Sequence, residues 1–417
     1  MKAPPYSGAF FFIPLLIMTI KIGLIREEKQ PADLRVALNP HQCVELMRKF
    51  PDVEVVVQSS NWRCFSDDAY RKEGLRIVDD IHECDVLMGI KEIPKEKLIA
   101  DKTYLFFSHT IKKQPYNRAM LRTILERNIR LIDYECLTWE NGSRILGFGR
   151  FAGIVGMHNG FLTWGKKFGL YNLKPAYECK NYLDLKFQYK NITLPAIKIA
   201  MCGDGRVAHG ALELLRYLKI REVTKQEFLE GKFDKPVFVH LRSEDYYARK
   251  DGKVWDKSDF YHNPEEYESS FKPYYQVADM MVNAIFWHQG IPAFFTKEEM
   301  KESDFNIKVI ADITCDLNGP IPSTTKATTI ENPVYGYHPF SEKITEPFLK
   351  HTVDVMAVGN LPCEVPADAS TEFGESILRY VMPHLLNEDT DSIIQRATIT
   401  EKGSLTDRYQ YLADYVE

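Results

Sequence analysis

Residues 197–201 form a short β-branched and apolar run that leads straight into Cys202-Gly203-Asp204-Gly205-Arg206-Val207-Ala208, and helical spacing follows over 208–218. A strand, a glycine-rich turn and a helix in this order leave few folds open. Gly203, Gly205 and Ala208 satisfy G-x-G-x-x-A. In that pattern the first glycine permits a tight turn. The second lets a pyrophosphate approach the backbone, and the small third residue lets the helix pack on the strand. The helix N-terminus then offers amide donors and partial positive charge to phosphates. Gly203, Gly205, Arg206 and Val207 are therefore the first candidate cofactor-binding residues. The alternative for such a turn is a purely structural one.

Elsewhere the pattern is also strand alternating with helix. Residues 20–25, 53–57, 84–90, 104–107 and 129–133 read as strands, and 40–50 and 120–128 as helices. Strands at 237–240 and 309–313 extend the set beyond the glycine turn. Such interleaving predicts parallel α/β sheets. At 417 residues the chain exceeds the ~250–300 residues at which a single core stops growing, so two domains are expected. The predicted fold is two Rossmann-like doubly wound domains with an active-site cleft between them. One domain, 18–150 plus 370–417, would hold the substrate and the catalytic groups. The other, 151–369, would bind the dinucleotide. Residues 151–171, with five glycines, read as a long helix packed closely between the two domains. Residues 277–287 read as helical, 246–275 as an insertion with little regular structure, and 370–417 as helical.

Three predicted strands end in ionisable residues. Gly89-Ile90 is followed by Lys91-Glu92; Phe107-Ser108 by His109, with Lys112 just after; Asp133-Tyr134 by Glu135. Ligands bind open parallel sheets at the carboxyl ends of strands, so Lys91, His109 and Glu135 are expected in one crevice. Singly, each has a plain reading as a solvated or hydrogen-bonded residue; their matching positions favour a site. A second polar turn, Asp312-Ile313-Thr314-Cys315-Asp316, follows a buried strand. It places Asp316 as a candidate catalytic residue and Asp312 as a cofactor contact, against an ordinary Asx turn. Arg35 follows the first strand and has the planar fork to clamp a substrate carboxylate, although a surface salt bridge is its simpler reading.

Cofactor choice turns on the residue ~20 positions past the glycines, where an acid meets the ribose of NAD. That region reads Arg221-Glu222-Val223-Thr224-Lys225, with no acid cleanly at a strand end. Lys225 or Arg206 could instead meet a 2′-phosphate, the alternative being that both are solvated surface charges. The expectation is NAD(P), with NADP favoured over NAD.

Lys plus Arg total 53 and Asp plus Glu 58, for a net charge of −5. No basic excess points to nucleic acid and no polybasic block to a membrane. Eight scattered cysteines form no CxxC pair, so neither a metal site nor a disulfide framework is expected, and the setting is read as reducing and cytoplasmic. The apolar run 9–18 is too short to span a bilayer. Residues 1–17 read as an extension outside the domains with Met18 as the working start, the alternative being a short membrane-targeting segment.

Several stretches resemble the alanine dehydrogenase and pyridine nucleotide transhydrogenase superfamily, and within it the lysine-forming saccharopine dehydrogenases. They are Thr103-Tyr104-Leu105-Phe106-Phe107-Ser108-His109-Thr110-Ile111-Lys112, Ile129-Arg130-Leu131-Ile132-Asp133-Tyr134-Glu135, Phe148-Gly149-Arg150-Phe151-Ala152-Gly153-Ile154-Val155-Gly156-Met157, the 312–316 turn, Thr328-Thr329-Ile330-Glu331-Asn332-Pro333 and Asn360-Leu361-Pro362. The likeness is nearest to the lysine–ketoglutarate reductase half of bifunctional aminoadipic semialdehyde synthase, and covers nearly everything after residue 20. It implies an oxidoreductase of CH–NH bonds that interconverts saccharopine with lysine and 2-oxoglutarate. Lys91 would be the base toward the amine, and His109 would work with the water of imine hydrolysis. Glu92 and Glu135 would tune the pair. Arg35, Lys112 and Phe148 would touch substrate, Arg144 the cofactor, and Asp316 would lie near the nicotinamide. A lysine with lowered pKa can take an amine proton, and an imidazole titrates where water must be activated. The partners implied are a small amino acid and an oxo acid, with a homo-oligomer left open. The alternatives are an alanine dehydrogenase, another opine or amino-acid dehydrogenase, or a non-catalytic dinucleotide-binding protein.

Overall fold

A computed structural model of the chain describes residues 19–30 and 32–417. The expected extension 1–17 lies outside the described residues. The chain divides into two compact units: one runs to Leu146 and resumes at Gly374–Glu417, and the other is Gly147–Phe373.

The first unit opens with β1 (Ile20–Leu24), β2 (Val53–Gln58), β3 (Arg76–Val78), β4 (Val86–Met88), β5 (Thr103–Phe106) and β6 (Arg130–Asp133). Helices α1 (Pro40–Lys49), α2 (Asp67–Lys72) and α3 (Arg118–Glu126) connect them. Asn39 and Gln42 form a capping box at the start of α1, which satisfies two amides that a helix start leaves open. All six strands run parallel in the order β3-β2-β1-β4-β5-β6. The order reverses at β1, so a crevice opens at the carboxyl ends of β1 and β4.

The second unit starts on α4 (Gly149–Phe168), followed by α5 (Tyr182–Phe187), β7 (Lys198–Cys202), α6 (Arg206–Tyr217), β8 (Arg221–Glu222) and β9 (Val237–Leu241). Then come β10 (Tyr247–Arg249), β11 (Tyr267–Ser269), β12 (Met280–Asn283), β13 (Val309–Asp312), β14 (Val334–His338), β15 (Lys343–Thr345) and β16 (Val353–Met356). Six strands are parallel in the order β8-β9-β7-β12-β13-β16, and β14 and β15 add antiparallel at the edge. The long helix α4 packs on α6 within this unit. A Cβ on Gly153 would sit 1.9 Å from the Val207 carbonyl oxygen of α6, so the two helices can approach only with glycine there.

Three expectations are corrected. Residues 277–287 hold β12, whose four residues are all buried between β7 and β13. A strand covered on both faces shows no alternation, and its apolar run mimics a buried helix. The 246–275 insertion contains the antiparallel β10–β11 hairpin and a buried aromatic cluster of Tyr246, Tyr247, Phe260, Tyr267 and Phe271. Its charged residues alternate with rings that point inward. The chain beyond residue 386 is not helical throughout. After the short helix Ile393–Ala397 it returns to the first unit's sheet as β17 (Thr398–Glu401), antiparallel to β6, and β18 (Ser404–Leu405). Among the described residues no helix is long and apolar enough to cross a membrane.

Candidate active site

The ends of β1, β4, β5 and β6 are aligned by register: Leu24 lies beside Met88, Met88 beside Leu105, and Phe106 beside Asp133. Lys91, His109 and Glu135 each follow within three residues of these ends, on one edge of one sheet. His109 takes a left-handed backbone at φ 52°, with its ring nearly parallel to Phe107 at 6.3 Å. Its Nδ1 meets Glu92 Oε1 at 2.6 Å, and Lys29 Nζ donates to Glu92 Oε2 at 2.6 Å. Burial pushes the Glu92 carboxyl up, but the bonds from His109 and Lys29 outweigh it and hold it at about 2. Glu135 is buried, yet Arg144 Nη2 at 2.5 Å and Lys112 Nζ at 3.2 Å keep it below the usual carboxylate range.

Lys91 is half-buried, and its amine has no hydrogen-bond partner among the described residues. Burial, then the positive charge of Arg35, lowers its pKa against the opposing pull of Asp33 and Glu92. Arg35 is not the surface residue its local context favoured. It is 4% exposed and forks onto Asp33, 2% exposed, through Nη2 at 2.6 Å and Nε at 2.9 Å. Burial raises the Asp33 carboxyl, and the Arg35 hydrogen bonds overcome this to bring it to about 2.

Two buried carboxyls that sequence reasoning missed fix the loops carrying these groups. Glu27 Oε1 accepts the Ile90 amide at 2.6 Å and Oε2 the Lys91 amide at 2.9 Å. Burial, reinforced by Asp33, lifts its pKa to about 8. Asp133 accepts from the Ser108 hydroxyl, from the Ser108 amide at 3.1 Å and from the Glu135 amide at 2.7 Å, and burial lifts it to about 6. Each carboxyl follows or ends a strand, a position that signalled Lys91 and Glu135. Nothing local marks it as facing inward.

In the second unit, Gly203 has φ 121°, and a Cβ there would lie 2.4 Å from the Ala284 carbonyl oxygen. Only glycine makes this turn. Helix α6 begins at Arg206 with Gly205 as its cap, a residue with no side chain to place on the helix start. The space beside Gly205 is open. A turn and helix start of this kind could hold a pyrophosphate. Val207 gives its carbonyl face to Gly153, and Arg206 lies against Gly147 and Gly149. Lys225 heads the short helix Lys225–Glu230 after edge strand β8 and pairs with Asp245, whose other oxygen accepts the Arg242 amide just past β9. The strand beside β7 is β9 and not β8, so Lys225 does not stand at the end of the neighbouring strand but is tied to it through Asp245.

Register brings Cys202, Asn283 and Asp312 side by side at the ends of β7, β12 and β13. Asp312 is wholly buried and engaged by Asn283 Nδ2 at 2.8 Å, Thr324 Oγ1 at 2.6 Å and the Cys315 amide at 3.1 Å; burial lifts it to about 6. It anchors the turn that bears half-buried Asp316 rather than offering its own oxygens to a ligand. Phe148 stacks on Phe373 at 4.5 Å. Arg144, expected at the cofactor, lies on Glu135 in the first unit. Thus Lys91, Glu92, His109, Lys112, Glu135, Arg35 and Arg144 belong to one unit, and Gly203, Gly205, Arg206, Val207, Asp312, Asp316 and Phe148 to the other. Among the described residues no group of three His, Cys, Asp or Glu could hold a metal ion.

Residues 23–155 match the family model described as alanine dehydrogenase/PNT, N-terminal domain. Mitochondrial alpha-aminoadipic semialdehyde synthase of Mus musculus is 28% identical over 444 residues, covering 94% of this chain and 47% of that protein. The chain therefore spans about half the length of this relative. Saccharopine dehydrogenase (NAD+, L-lysine-forming) of Emericella nidulans is 26% identical over 384 residues, covering 87% of this chain and 90% of that one. Among solved structures, an L-alanine dehydrogenase is similar with TM-score 0.64 at 16% identity, covering 95% of this chain and all of that one; the two share a fold.

Proposed function

We propose that this chain is a nicotinamide-dependent oxidoreductase of the alanine dehydrogenase/PNT family that interconverts saccharopine with lysine and 2-oxoglutarate. One observation carries the reading: a half-buried lysine amine with a lowered pKa and no hydrogen-bond partner among the described residues, one residue from a carboxylate that grips an imidazole. A base for an amine must itself be neutral near working pH, and burial beside Arg35 biases Lys91 that way.

The residues present fit a dinucleotide. Gly203 leaves room that a Cβ would fill, and the glycine cap of α6 lets a phosphate come close to the helix start. When bound there, the cofactor supplies the hydride acceptor for the C–H bond beside the nitrogen. Lys91 takes the proton of the secondary amine as that hydride leaves. His109, held by Glu92, moves the proton of the water that adds to the resulting imine. Lys112 and Arg144, each about half exposed, present positive charge to substrate carboxylates. Arg35, buried on Asp33, acts on Lys91 through its charge.

The deciding experiment adds lysine to the purified chain with 2-oxoglutarate and NADPH or NADH and follows absorbance at the nicotinamide band. Cofactor oxidation that depends on both lysine and 2-oxoglutarate is expected. Reduction of cofactor driven by alanine, with lysine inert, would reject the substrate.

A further inference from the structure

The strand order of the second unit relocates the position that reads the ribose. In a doubly wound sheet, the adenosine ribose meets the end of the strand beside the glycine-turn strand; an acid there holds the 2′-hydroxyl of NAD, and an arginine accommodates the 2′-phosphate of NADP. That neighbouring strand is normally the next in sequence, ~20 residues on. Here the next strand, β8, is a two-residue edge piece, and β9 fills the place beside β7, with Cys202 opposite Leu241. The residue that meets the ribose therefore follows Leu241.

That residue is Arg242. Gly203 and β9 are tied at this point: the Gly203 amide donates to the Leu241 carbonyl at 3.0 Å, and His240 Nε2 meets the Gly203 carbonyl at 2.7 Å. Arg242 reaches back over the turn, its Nε 3.3 Å from Asp204 Oδ2, with 54% of its side chain exposed. Its terminal nitrogens take no hydrogen-bond partner among the described residues, so the guanidinium fork is open to a phosphate. Five charged or titratable groups surround it. Asp204 pairs with it, and His240 lies under the turn. Asp245 accepts the Arg242 amide at 2.8 Å and pairs with Lys225. Glu244, one position before Asp245, is exposed to solvent. Asp245 is thus already engaged, and the first charged side chain past β9 is cationic.

We propose that Arg242 reads the 2′ position of the adenosine ribose and makes the chain select NADP over NAD, a reading that rests on the proposed dinucleotide site. The test is a fluorescence titration of the full chain with adenosine 2′,5′-bisphosphate, 5′-AMP, NADPH and NADH. The wild-type chain is expected to bind the bisphosphate about 10- to 100-fold more tightly than 5′-AMP, as a charge-assisted contact of this kind gives. Arg242→Ala should bring that ratio close to one while NADH affinity moves far less; Arg242→Lys should keep part of it, and Lys225→Ala nearly all. An unchanged ratio in Arg242→Ala, or equal binding of bisphosphate and 5′-AMP by the wild-type chain, overturns the assignment while NADH binding still supports the dinucleotide site. Failure of wild type to bind either NADPH or NADH removes that site and this inference together.

Discussion

Both units present a row of six parallel strands, and both carry their candidate chemistry at the carboxyl edge, yet they use that edge differently. The first unit loads it with ionisable side chains: Lys91, Glu92, His109, Glu135 and, behind them, Glu27 and Asp133. The second relies mainly on backbone: Gly203 closes a turn no other residue can make, and α6 starts behind a glycine cap. The shared architecture supplies an edge where loops converge, and the residue types placed there decide the chemistry. Proton transfer needs tuned side chains. Phosphate binding needs amides and closeness, which side chains would obstruct.

The sharpest way to break this division is Lys91→Met. General-base loss costs about 10²- to 10⁴-fold in rate, so kcat should fall by orders of magnitude while cofactor affinity, read by fluorescence titration, holds. Loss of cofactor binding in this variant would show that the two edges do not divide the work. Next in size is Gly203→Ala in the opposite unit. Its Cβ meets the Ala284 carbonyl, and its φ of 121° is costly for alanine; strain of about 1–3 kcal/mol should weaken cofactor binding about tenfold to a hundredfold. Unaltered affinity would deny that the turn cradles the cofactor.

Arg35→Gln sharpens the picture within the first unit. Lys91 must be neutral to accept a proton, so activity in the saccharopine-oxidising direction rises as pH passes its pKa. Removing the Arg35 charge, and leaving Asp33 unpaired, raises that pKa. The acidic limb of the pH–rate profile should move to higher pH by about one unit; no movement would remove Arg35 from the tuning of Lys91.

The smallest effect is on stability. Glu27 and Asp133 have raised folded-state values, about 8 and about 6. Their contribution is present below the unfolded carboxyl values and is lost as pH rises, from the mid-4s to about 8 for Glu27 and from just below 4 to about 6 for Asp133. Glu92, depressed to about 2, acts oppositely: its contribution is present above the mid-4s and lost as pH falls toward 2. Melting temperature followed from pH 5 to 8 should decline less steeply in Glu27→Gln than in wild type. Parallel curves would show that Glu27 is already ionised at neutral pH.

The strands ending near Lys91, His109 and Glu135 were legible because periodicity and strand-end position are local properties. The glycine turn was legible because its backbone demand is written in residue type. Strand β12 was misread because a doubly covered strand has no alternation to report. The strand end beside the glycine turn was not legible, because spacing along the chain assumes a strand order, and β9 displaced β8 from the place beside β7. Glu27 and Asp133 gave no sign of their inward orientation, since burial is set by what packs over a residue.

By itself, the sequence determined which segments become strands and helices, where the backbone must turn through glycine, and which ionisable side chains stand past strand ends. These follow from hydrogen-bonding period, Cβ sterics and residue chemistry, all settled within a few neighbouring positions. Only the tertiary structure decided that Glu27 holds the Lys91 loop, that Arg35 is buried on Asp33 beside Lys91, and that Arg242 follows the strand next to the glycine turn. Those pairings join residues distant in sequence through strand order and register, which depend on how whole sheets assemble.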